Sequence, residues 1–164
     1  MSLALTLRFT RLSQDRLRFE YRRPDGSGEI VEMETEGVLV HDLLRYAVET
    51  GAGLKGSFFG ILAKIGGYEE LVVAGGAALG GEIAITERVV AALSVGLQQP
   101  DLDDAAFAAA VIEHLDIYEE RAPRWLTPAL IAAVRERMRQ LTGDWEATRL
   151  GDTMELVFPP PYKT

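Results

Sequence analysis

The hydropathy period changes twice along the chain, from two to 3.6 and back to two, and that order limits the fold more than any other feature. Near the N-terminus Leu3, Leu5, Leu7 and Phe9 alternate with Ala4, Thr6, Arg8 and Thr10. Period two puts the two sets on opposite faces of a strand. The alternation resumes with Leu17, Phe19 and Tyr21 against Arg16, Arg18, Glu20 and Arg22. Pro24-Asp25-Gly26-Ser27-Gly28 is turn chemistry, because Pro presets φ and Gly supplies φ > 0. Val31 and Met33 then oppose Glu32 and Glu34. These runs predict a three-stranded antiparallel meander with one apolar and one charged face.

From Val38 the period is helical. Val40, Leu43, Leu44, Ala47 and Val48 fall at helical offsets, and Gly51-Ala52-Gly53 ends the run. A second helix is predicted from about Leu54 to Ile65, stopped by Gly66-Gly67. Leu71-Val72-Val73-Ala74 fits a short strand or a helical turn, and the glycines of 75–81 predict a loop. Thr86 is suited to cap a helix through about Leu97, and Asp101 one that runs to about Glu120. Thr127-Pro128 opens a last helix, with a capping hydroxyl followed by Pro at the first helical position, and Gly143 is expected to close it.

Period two returns at the C-terminus. Trp145 and Ala147 alternate with Glu146 and Thr148, and Met154, Leu156 and Phe158 with Thr153, Glu155 and Val157. Gly151-Asp152 between them suits a hairpin turn. Pro159-Pro160-Pro161 ends the strand and starts an extended tail over 159–164. Strands and helices are segregated, so the expected class is α+β. An antiparallel sheet would join the N-terminal meander to a C-terminal β-hairpin, Trp145–Phe158, because an isolated hairpin is marginal in water. About five helices would pack on its apolar face. No linker divides residues 1–164, and one domain is expected.

Composition removes several classes of function. The 164 residues hold 17 Lys plus Arg against 25 Asp plus Glu, a net charge of −8. Nucleic acid needs a basic footprint, and an anionic membrane surface attracts basic segments, so neither is an expected partner. The chain has no cysteine, which rules out disulfides, thiolate metal sites and a Cys nucleophile. With two histidines, a three-His zinc site is ruled out as well. The longest uncharged run, Val89 to Pro100, falls short of a membrane span. The N-terminus lacks the basic and apolar regions of a signal peptide. A cytoplasmic location is the expectation.

Arg8, Arg16, Arg18 and Arg22 share the outer face of the first hairpin, but Glu20, Glu32 and Glu34 lie on the same face, where cross-strand pairing is expected. Residues 37–120 carry four basic and 13 acidic side chains. Glu113, Asp116 and Glu120 share one helical face; Glu113-x-x-Asp116 resembles half of the pattern of all-helical nucleotide pyrophosphohydrolases, and the matching cluster on an earlier helix is missing. The glycine run 75–81 is followed by Glu82 and Ile83 rather than the Lys and Ser or Thr of a phosphate loop.

The two histidines are the sharpest candidates. His41 stacks with Leu44 and Val48, and His114 with Phe107, Val111 and Tyr118, so both border apolar stripes. Each has an acidic neighbour, Asp42 or Glu113. If their helices adjoin, His41, Asp42, Arg45, His114 and Tyr118 would line one pocket. Any metal would then sit on His41, His114 and Glu113. Acid, base and nucleophile sets are otherwise incomplete. The expected function is a small acidic binding or protein-interaction module, possible as a homodimer, without catalysis or cofactor. The alternative is a metal-dependent hydrolase using His41, His114 and neighbouring carboxylates.

Overall fold

A computed structural model describes residues 4–72, 81–117 and 121–160. The meander forms as the alternation predicts: β1 (Leu5–Arg11), β2 (Arg16–Arg22) and β3 (Gly28–Glu34). The helices are α1 (Val38–Ala52), α2 (Phe58–Leu62), α3 (Gly81–Leu97), α4 (Asp104–Ile117) and α5 (Pro128–Ala147), followed by β4 (Thr153–Phe158). Residues 68–72 are also helical. The sheet is antiparallel in the order β3-β2-β1-β4. The C-terminal strand therefore adds to the first strand of the meander, in the register Leu7↔Leu156.

Alternation decides which face is inside. Leu5, Leu7 and Phe9 of β1, Leu17, Phe19 and Tyr21 of β2, and Met154, Leu156 and Phe158 of β4 are buried. Each such side chain contributes about 1.5–3 kcal/mol by leaving water. Aromatic contacts tie this face to the short helices, with Phe19 against Tyr68 at 5.1 Å and Phe158 against Phe59 at 6.0 Å between centroids. On the outer face the arginines meet glutamates: Arg8 with Glu155 at 3.1 Å, Arg18 with Glu32 at 3.6 Å, and Arg22 with Glu20.

Four helices pack as a ring in which α1 and α4 each lie against both α3 and α5. α1 is the central helix, since residues 42–49 are buried without interruption. It ends at Gly53, whose φ of 67° is left-handed and whose N–H bonds Glu49 O. At the start of α5, Thr127 Oγ1 accepts from Leu130 N at 3.1 Å ahead of Pro128, the signal read in the sequence.

Several boundaries differ from expectation. The C-terminal hairpin is a single strand, because α5 continues through Gly143 to Ala147 and carries Trp145 with it. Ile131, Val134, Met138, Leu141 and Trp145 keep helical spacing on the buried side, and four residues of alternation cannot outweigh a stripe of that length. α3 starts at Gly81, so Thr86 is interior, and its hydroxyl bonds Glu82 O at 2.9 Å instead of capping. Asp103 caps α4 in place of Asp101, accepting from Ala106 N at 2.7 Å. The helix expected over 54–65 shrinks to α2: residues 55–57 bend instead of coiling, and Gly60 of α2 packs on that bend, where a Cβ would stand 2.1 Å from Lys55 O. Leu71 and Val72 are helical; residues 73–80, with most of the glycine run, and the tail residues 161–164 lie outside the described residues.

One β1 side chain fixes the end of α5. Arg11 donates from Nε to Thr148 O and from Nη2 to Trp145 O, both at 2.7 Å, and stacks 4.5 Å over the Trp145 ring. A cation here satisfies final helical carbonyls and complements the helix dipole. Arg11→Gln should lower stability by about 1.5–3 kcal/mol, the worth of charged hydrogen bonds. An unchanged urea midpoint would mean that packing alone holds this end.

Candidate functional site

Asp42, Arg45 and Glu49 stand at i, i+3 and i+7 on one face of α1, within the stretch 42–49 that is buried throughout. A polar row so placed must find partners inside the protein. Arg45 supplies most of them. Its Nη1 bonds Asp42 Oδ1 at 2.7 Å, its Nε and Nη2 grip Glu87 of α3 at 2.8 and 3.1 Å, and its plane lies 4.2 Å over Phe58. Tyr68 donates to the other Asp42 oxygen at 2.7 Å. His41 stands at the rim, its Nε2 3.4 Å from Glu87 Oε2 and its side chain 34% exposed.

The electrostatics follow from burial and partners. Burial opposes ionisation of Glu87, but hydrogen bonds from His41 and Arg45 and the Arg45 charge outweigh it and hold its pKa down to about 2. Burial pushes the Asp42 carboxyl up, with Arg45 and Tyr68 pulling the other way. It also pushes the Tyr68 hydroxyl up, and the Asp42 charge adds to this. Glu49 lies one turn further along, fully buried. Its Oε1 accepts from Phe59 N at 3.0 Å and Gly60 N at 3.3 Å, while Oε2 has no partner. Burial pushes this carboxyl up to about 8, so it is mostly protonated at neutral pH. Ser57 Oγ continues the polar seam to Thr86 Oγ1 at 2.8 Å and Glu82 Oε2 at 3.2 Å. With Asp42 and Glu87 both engaged, this constellation acts as a clamp that locks α1 to α2, α3 and the 68–72 turn.

An open concavity among the described residues lies elsewhere, between the start of α1, the end of α3 and the second half of α5. It encloses about 640 Å³, within the range of small-molecule sites. Val40, Leu97 and Met138 provide its apolar lining, and Arg135, Arg139 and Glu146 its charges. Arg135 is held rigidly: it bonds Asp104 Oδ1 and Pro100 O, each at 3.2 Å, and stacks 4.4 Å over Phe107. Arg139 is exposed and reaches Glu136 at 3.0 Å.

Gly143, also on the cleft wall, is a helical glycine without a packing reason. At Gly51, Gly60 and Gly96 a Cβ would meet a neighbour at 3.1 Å or less, whereas at Gly143 it would meet nothing within 4 Å. Glycine inside a helix costs about 1 kcal/mol relative to alanine. Gly143→Ala should therefore stabilise the protein by up to ~1 kcal/mol, visible as a raised thermal midpoint; a fall would reveal a packing constraint at this position.

Of the residues singled out in the sequence, the fold brings His41, Asp42 and Arg45 together. His114 lies partly buried on α4, with Glu113 exposed beside it, and Tyr118 lies outside the described residues. The two histidine helices take opposite places in the ring. Among the described residues no group of three or more His, Asp or Glu is placed to hold a metal ion, and no helix is long and apolar enough to cross a membrane. Sequence reasoning missed Glu87, Tyr68 and Glu49, as well as the cleft. Two signals were present: the polar row 42, 45, 49 on a largely apolar helix, and a glycine inside α5. Neither a family model, nor a curated protein, nor a solved structure matches the chain.

Proposed function

We propose that the protein is a binding module, without catalytic chemistry of its own, that takes its ligand in the cleft between α1, α3 and α5. The observation that carries this reading is Gly143, a helix-weakening residue whose missing side chain leaves the cleft open. The clamp around Arg45 supports it from behind: a rigid central helix presents Val40 at a fixed position, and preorganised walls reduce the entropy lost on binding. The test is a small-fragment screen read by methyl chemical shifts. Hits should move Val40, Leu97 and Met138, and Gly143→Leu, which fills the open space, should abolish them while leaving the fold intact. Hits clustered at the His41–Glu87 rim, or hits indifferent to Gly143→Leu, would overturn the assignment.

A further inference from the structure

We infer that residues 54–65, the short helix α2 with its flanks, form a latch on α1 that the proton of Glu49 holds shut and that opens when this proton is lost. Glu49 is the polar tie between the two helices. It is fully buried, and its Oε1 accepts from the Phe59 and Gly60 amides at 3.0 and 3.3 Å. Its Oε2 is buried without a hydrogen-bond partner. That arrangement suits the neutral acid, because a carboxylate in the same place would leave a charged oxygen with no donor. The surroundings add little to hold a charge. Arg45, one turn back on α1, is committed to Asp42 and Glu87. α3 contributes Glu82 and Glu87, β3 carries Glu29, Glu32 and Glu34, and the 68–72 turn adds Glu69 and Glu70. α2 has no titratable side chain, and Lys55 and Lys64 on its flanks are exposed. α5 meets the end of α1 through Leu130 and Val134 at Gly51, and its Arg137 lies 6.0 Å over Tyr46, whose hydroxyl donates to Val157 O of β4. Burial therefore prevails and raises the Glu49 carboxyl to about 8.

The segment is tethered so that it can leave as a unit. It runs between two glycines in the left-handed region, Gly53 at φ 67° and Gly66 at φ 82°. Its helix spans five residues, too few to persist by itself. Besides the Glu49 bonds, its polar ties are Gly56 N to Glu82 Oε2 at 2.6 Å, Ser57 Oγ to Glu82 and Thr86, and Arg23 Nε to Leu62 O at 2.8 Å. Asp42, Arg45, Glu87 and Tyr68 all lie outside 54–65, so the clamp on α1 loses only the stack of Arg45 on Phe58 when the segment opens. Opening exposes Phe58, Phe59 and Leu62 and brings Glu49 to water, which takes its proton. Segments with few anchoring contacts open in this way well below the cost of global unfolding.

Native-state amide exchange on the full chain separates a latch from global unfolding. In the open form Glu49 ionises at its ordinary value and in the closed form at about 8. The open population should therefore rise about tenfold per pH unit between these values, the linkage of one proton, and level off above them. Protection factors of the Phe59, Gly60 and Leu62 amides should fall about tenfold per unit from about pH 5.5 to about pH 7.5. They should also stay at least about tenfold below those of Leu7 and Phe19 in the sheet, as expected for an opening that spares the core. In Glu49→Gln, which keeps an oxygen for both amides, the slope should vanish. Protection in 54–65 equal to that of Leu7 and Phe19 at every pH would mean that the segment opens only with the whole fold, and this wild-type comparison overturns the latch without any variant. Wild-type protection that ignores pH, or a slope that survives in Glu49→Gln, overturns the role of the Glu49 proton.

Discussion

Replacing Arg45 by methionine should destabilise the protein by about 3–5 kcal/mol, the usual result of removing one partner from a buried ionic cluster. Methionine keeps much of the volume and the contact with Phe58, so the loss reports the charge. Asp42 would be left fully buried with only the Tyr68 hydrogen bond, and Glu87 with only His41. The pH dependence follows from the sign of the Asp42 change. Its carboxyl is already pushed up by burial, and losing Arg45 raises it further. A raised folded-state pKa contributes stability below the unfolded value and loses it as pH rises through the folded value. The Arg45→Met defect should therefore deepen from acid to neutral pH. Guanidinium unfolding at several pH values measures this, and adding Asp42→Asn should recover part of the loss non-additively. A loss under 1 kcal/mol at pH 7 would show that the cluster is held by packing and that Arg45 is incidental.

Glu49→Gln should have the opposite sign in alkaline solution. Glutamine keeps an oxygen for the Phe59 and Gly60 amides and removes the buried proton equilibrium. In the native chain the carboxyl is raised from 4.5 to about 8. Stability from this group is complete below about pH 4.5 and declines until the carboxyl is ionised above about 8. The span corresponds to roughly 5 kcal/mol between the limits. Glu87, held down to about 2, works in the other direction: its contribution is complete above its ordinary value and is lost in strong acid. Because Glu87 is unchanged in the variant, it cancels in the difference. The two proteins should be nearly equally stable at pH 5, and the glutamine form clearly more stable at pH 9. A difference that stays constant across that range would mean that Glu49 ionises in the folded protein as it does in the unfolded chain.

The sheet was legible because each strand buries one face, and period two records that directly: Leu5, Leu7, Phe9 and their partners on β2 and β4 all lie where the alternation puts them. Boundaries between helix and strand were less so. Trp145 fits both periods over four residues, and only its packing beside Leu141 and Met138 decides for the helix. The candidate site was half visible. His41, Asp42 and Arg45 are local to α1, and the scarcity of histidine and the place of His41 beside Leu44 and Val48 point to that helix. Glu87 and Tyr68 are 42 and 26 residues away from their partners Arg45 and Asp42, and no local pattern encodes such a meeting. His114 attracted the same argument as His41, because a border position on a helical wheel does not say which helix faces it. The cleft had one local trace, Gly143, which reads equally well as a helix stop until a Cβ is placed on it.

The pairing of β1 with β4 also sets a schedule for synthesis. Leu5 meets Phe158, so the hydrogen bonds along one edge of β1 wait until nearly the whole chain described here has left the ribosome. In the interval the meander exposes that edge of β1, a row of unpaired amides and carbonyls flanked by Leu5, Leu7 and Phe9. Such an edge invites pairing with another chain. The nascent protein is therefore vulnerable to self-association at β1 until β4, made after every other described element, ends the exposure.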